Sequence, residues 1–103
     1  MALANATLGT TNTTIFTCAN AGGSAVVALV FTNTDSSART ITVYARPAAK
    51  AAATENTILS ALSIGAGETY VFSDKILLAN TDVISGLASS AAVVVCTASY
   101  LNL

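Results

Sequence analysis

Arg39-Thr-Ile-Thr-Val-Tyr-Ala-Arg46 is the most regular stretch of this 103-residue chain. Ile41, Val43 and Ala45 fall on one side of an extended backbone. Thr40, Thr42, Tyr44 and Arg46 fall on the other, because successive side chains of a strand point to opposite faces. A period of two, carried by β-branched and aromatic residues, describes a strand with one covered face. Pro47 ends it, having no N–H to give to a neighbouring strand.

The same signals repeat outward from this strand. Upstream, residues 13–18 form a short β-type run closed by Ala19-Asn-Ala-Gly-Gly23. Residues 24–33 are nearly continuously apolar, as expected of a strand at the centre of a sheet. Thr34-Asp-Ser-Ser37 closes that strand. Downstream, strand character returns at residues 57–64, 68–73, 76–78, 83–87 and 91–101, separated by Gly, Asn, Asp and Ser turns. In the last of these, Val93 and Val95 face away from Val94 and Cys96. About eight short strands without an amphipathic helix predict an all-β fold, a single β-sandwich of the jelly-roll or Greek-key kind. The Ala-rich residues 48–57 suit a loop crossing between the sheets. Residues 1–12, uncharged and rich in Thr and Asn, read as an N-terminal arm that orders against a neighbour, leaving 13–103 as the sandwich domain.

Composition narrows the function. The chain is 53% hydrophobic but only 9% charged, with no His and a net charge of -1, whereas soluble domains carry about 25% charged residues. Disorder needs the opposite balance, and the longest apolar run, residues 25–31, is far short of the ~20 residues that cross a bilayer. Arg39, Arg46, Lys50 and Lys75 are scattered, so a nucleic-acid surface is not expected. The N-terminus lacks the basic and long apolar regions of a secretory signal. The expectation is one domain whose weakly polar surface is covered by partners.

Chemistry finds little to work with. General acid–base and nucleophilic catalysis need a titratable group beside the reacting atom, and without His a Cys or Ser nucleophile has no neighbouring base in sequence. Glu68, Asp74 and Asp82 could in principle share a calcium site, but turns explain them better. Gly65-Ala-Gly67 lacks the third Gly and the helix of a dinucleotide site. No catalytic residue, metal or cofactor is expected. Tyr44, Tyr70 and Tyr100 suit strands more than a sugar-binding platform. Cys18 and Cys96 have no metal spacing and read as buried reduced thiols, with a disulfide, within the chain or between subunits, as the alternative.

The order of motifs resembles a known group. Thr13-Thr-Ile-Phe-Thr17 precedes a Gly turn, then an apolar strand ends Phe31-Thr-Asn-Thr34. Ile41-Thr-Val-Tyr44 follows with Pro47 close behind, then Leu62-Ser-Ile-Gly-Ala-Gly-Glu-Thr-Tyr70 and Asn80-Thr-Asp-Val-Ile84. Over residues 13–98 this series is similar to small all-β virion proteins of tailed bacteriophages. The chain departs from their pattern at two turns, which here read Ala19-Asn-Ala-Gly22 and Pro47-Ala-Ala49, so contacts borne by those loops do not carry over.

The resemblance implies a virion structural protein assembled in the host cytoplasm. The first expectation is a head decoration, or cement, protein that bridges major capsid subunits as a homo-oligomer, a trimer. The alternatives are a neck, tail or baseplate component, or a glycan-binding module of a fibre presenting Tyr44 or Tyr70. Expected contact residues are Ala2, Leu3, Asn5, Thr7 and Leu8 in the arm, and Pro47, Lys50, Thr54 and Asn56 in the loop.

Overall fold

The computed structural model describes residues 2–103. Nine strands follow one another: β1 (Ala2–Thr7), β2 (Thr13–Thr17), β3 (Ser24–Asn33), β4 (Arg39–Arg46), β5 (Thr57–Ile64), β6 (Thr69–Phe72), β7 (Ile76–Leu78), β8 (Val83–Ala88) and β9 (Val94–Asn102). A single 3-10 turn, Thr54–Asn56, precedes β5. The alternation read in β4 holds: Ile41 and Val43 have no exposed surface, while Thr40, Thr42 and Tyr44 lie on the outer side. β9 begins three residues later than expected. Ala92 sits at φ 62° and its N–H bonds the Leu8 carbonyl, so the chain is still turning there.

The strands form two antiparallel sheets. One has the order β1-β9-β3-β6, with β7 pairing the first residues of β3 and β6 the last. The other has the order β2-β8-β4-β5. Among the described residues, the β4–β5 and β6–β7 connections stay within one sheet and the others cross the sandwich. The crossing expected after Pro47 is therefore not made. That loop returns the chain to the strand beside β4, held by Asn56, which accepts from Ala53 N–H and donates to the Ala51 carbonyl. Arg46 further donates to the Lys50 carbonyl.

The expected arm is also corrected. Met1 lies outside the described residues, but Ala2–Thr7 pairs in register with β9, from Ala2 opposite Tyr100 to Thr7 opposite Val95. Asn5 Nδ2 donates to Thr97 Oγ1 at 2.8 Å. Ala4 and Ala6 pack on the core, and Leu8 is fully buried with its N–H on the Val94 carbonyl. The segment is an integral edge strand, because Leu8 and the inward alanines bury apolar surface that an external arm would leave in water.

The core lies between the sheets. Val26, Leu29 and Phe31 of β3 and Val94, Cys96 and Ala98 of β9 meet Ile41 and Val43 of β4 and Ile84 of β8. Ile15 and Phe16 are both buried because the β2–β8 register shifts between Thr14 and Phe16. At the centre of β8, a Cβ on Gly86 would stand 2.9 Å from the Thr42 carbonyl, so a side chain there would push β8 and β4 apart. One end of the sandwich is closed by Asn33, which is fully buried. Its amide donates to the Ser37, Ile64 and Gly65 carbonyls, and its side-chain oxygen accepts from Asp35 N–H.

Candidate functional surface

The nine charged residues keep to the periphery of the sheets. Arg39 and Arg46 are the first and last residues of β4, and the rest lie in connections. Most are used locally. Arg39 pairs Asp35 at 2.6 Å, and its guanidinium, with help from Ser36 N–H, holds the Asp35 carboxyl below its ordinary range. Asp82 accepts from Ala48 and Ala79 N–H groups, pinning two turns. No cluster of acidic or sulfur ligands suited to a metal occurs among the described residues.

The two outer faces differ in chemistry. On the β2-β8-β4-β5 sheet, Thr14, Thr40, Thr42, Tyr44 and Ser85 share one face through their cross-strand pairing, and Arg46 Nε covers Ser85 Oγ at 2.9 Å. That face is rich in hydroxyls. On the other sheet the outer face carries Leu3 of β1, Val95 and Leu101 of β9, Val71 of β6 and Leu77 of β7, all exposed. The pairings Leu3–Ser99, Val71–Val30–Thr97 and Leu77–Ala25–Leu101 set them on the same side. Among the described residues, none that is charged stands on it.

Edges show the same neutrality. The lateral strands β1, β2, β5 and β6 contain neither a charged residue nor Pro, the devices with which monomeric proteins commonly protect sheet edges. β2 and β5 are irregular where they pair, which blunts them. β1 runs without a shift in register and offers a regular free edge.

The expected contact residues distribute as follows. Ala2, Leu3, Asn5 and Thr7 are available on β1, whereas Leu8 is core. Pro47, Lys50 and Thr54 are exposed on the β4–β5 loop, but Asn56 is buried and holds that loop together. β1 lies over β2 and the loop belongs to the far end of the other sheet's strand order, so the two groups do not form one patch. The tyrosines are likewise dispersed. Tyr44 is outward on β4, Tyr70 packs on the core, and the Tyr100 ring lies 4.4 Å from that of Phe16.

Polar groups inside the protein are committed to structure. Cys18 and Cys96 are free and buried. Burial pushes the Cys96 thiol up to about 12, and Cys18 Sγ lies 3.3 Å from Ser24 Oγ, which in turn donates to Asn102. A pocket of about 200 Å³ opens between Phe16, Thr17, Ala19, Asn20, Tyr100 and Asn102, smaller than the ~300–1,000 Å³ usual for ligand sites. Asn20 uses its amide on the Gly23 and Leu103 carbonyls.

No family model and no curated protein sequence matches the chain. Solved structures do. The acid-stable capsid structure of Helicobacter pylori bacteriophage KHP30 contains a chain similar over 99% of this protein and 91% of that chain, at 10% identity and a TM-score of 0.58. A subunit of the disulfide-linked pili that form Bacillus endospore appendages is similar over 99% of this protein and 84% of that chain, at 15% identity and a TM-score of 0.54. At these identities the likeness is one of fold: this chain is a β-sandwich of the kind both structures contain.

Proposed function

We propose that this protein is a non-catalytic structural subunit of a bacteriophage virion, and that it decorates the head, bridging major capsid subunits. The observation that carries the reading is the absence of charge from the outer face of the β1-β9-β3-β6 sheet and from the lateral strands, in a chain whose fold is shared end to end with one from a phage capsid structure. We read the strand order as a jelly roll, an architecture that recurs in viral capsid and lectin domains. A small domain with one uncharged face and a regular free edge fits a repeated building block whose neighbours cover it. The candidate contacts with the shell are the β1 edge at Ala2, Asn5 and Thr7, and the exposed loop residues Pro47, Lys50 and Thr54.

The likeness to a pilus subunit favours a second reading, a subunit of an extracellular fibre. Here both thiols are buried, so a link between subunits through Cys18 or Cys96 would require the sandwich to open. The two readings separate by stoichiometry in purified particles, measured by quantitative mass spectrometry. Copies comparable in number to the major capsid protein support decoration. A handful per particle would move the protein to a neck, tail or baseplate, and absence from particles would refute the virion role.

A further inference from the structure

We propose that the outer face of the β1-β9-β3-β6 sheet is a self-association surface, closed by the same face of a second copy of this chain. This goes beyond the virion reading and does not depend on it. Leu3, Val71, Leu77, Val95 and Leu101 project from this one face, 68%, 52%, 68%, 37% and 42% exposed. Isolated exposed apolar residues need no explanation, but a contiguous patch marks an interaction site.

Three observations select the occupant. The face has no charge to attract a charged partner, and two such faces brought together have none to repel. Four of its polar side chains already satisfy one another: Asn5 donates to Thr97 at 2.8 Å, and the Thr32 and Thr69 hydroxyls pair at 3.2 Å. Covering them therefore leaves few polar groups unpaired, which is the usual cost of burying a polar surface.

Area is the third. Four rows of strands ~4.8 Å apart, holding 6, 9, 10 and, for β6 with β7, 4 and 3 residues at ~3.3 Å each, present roughly 500 Å² per copy. A face-to-face pair then buries ~1,000 Å², the lower bound for a specific interface. The small residues Ala28 and Ser99 lie opposite one another between the projecting leucines and leave low ground for the leucines of the other copy. Such a contact is two-fold, the same patch serving on both sides, and the assembly it builds is a pair, not the expected trimer.

Sedimentation velocity on the isolated full chain tests this. The wild type is expected to form a discrete dimer at ~50 µM, and Val71→Lys/Leu101→Lys to weaken the association at least tenfold, about 1.4 kcal/mol. Thr14→Lys, exposed on the opposite sheet, should leave it unchanged. Val71→Thr/Leu101→Thr, which adds no charge and keeps the strands, should give an intermediate dissociation constant if the lysine variant fails to fold. A wild type that stays monomeric at ~100 µM, or a dimer that survives both double variants, overturns the proposal. So does a monomer that binds phage heads through this face, because the occupant would then be the shell. None of these measurements on the isolated chain bears on whether the protein belongs to a virion.

Discussion

Asn33→Asp changes one atom of a fully buried side chain and should be among the most damaging isosteric substitutions available. The wild-type amide donates to three carbonyls, those of Ser37, Ile64 and Gly65, at 2.9, 3.0 and 3.2 Å. It thereby ties the end of β3 to the end of β5 in the opposite sheet. An ionised carboxylate would aim negative charge at those same oxygens, with Asp35 two residues away. An uncompensated buried charge costs about 3–5 kcal/mol, a large part of the ~5–15 kcal/mol that holds a small domain together.

Protonation would restore one donor, so below about pH 4 the cost should fall to the ~1–3 kcal/mol of the bonds that remain unmade. The sign follows from linkage. Burial raises the folded-state pKa of the introduced carboxyl above its unfolded value, so the variant keeps its stability below the unfolded pKa and loses it as pH rises through the folded one. Urea unfolding followed by tyrosine fluorescence, with wild type and variant compared at each pH, isolates this effect from the titration of Asp35. A variant within ~0.5 kcal/mol of wild type at pH 7, or a gap that does not change between pH 4 and 7, would refute the assigned network.

Two further predictions concern the corrected N-terminus and the buried thiol. Leu8→Ala should cost ~2–5 kcal/mol, as for a leucine removed from a packed core, while Leu3→Ala, measured on dilute protein, should stay within ~0.5 kcal/mol; equal and negligible effects would return this segment to an external arm. The Cys96 thiol is raised from 9.0 to about 12 by burial, so the folded state holds its proton while the unfolded state releases it. Stability is complete below the unfolded value and falls above it, and the advantage of wild type over Cys96→Ala should narrow by ~1–2 kcal/mol between pH 9 and ~10.5; a constant gap in the denaturation midpoints would contradict this.

What can be read from the chain follows the reach of each signal. β3, β4, β5 and β7 have their expected boundaries because alternation and turn residues act locally. β1 is hard to see in the sequence because its inward residues are alanines, Ala4 and Ala6, which give a weak periodic signal. Its partner, β9, lies at the other end of the sequence, and no local pattern encodes that pairing. Asn33 looks like an ordinary turn residue until folding brings the Ile64 and Gly65 carbonyls to its amide. The apolar face is equally hidden. Its five large residues come from four strands, and each taken alone is an ordinary Leu or Val. The low charge is visible in the composition, but not its distribution, with every charged side chain in a connection or at a strand end.

If this sandwich is a building block of a phage particle, it must be found there in place. Cryo-electron microscopy of intact particles, with and without the protein, tests that most directly. Difference density of this size and shape is expected over the outer surface of the head, repeated across the joints between capsomers. Density confined to a single vertex or to the tail would contradict the decoration role, and identical maps would contradict the virion role itself.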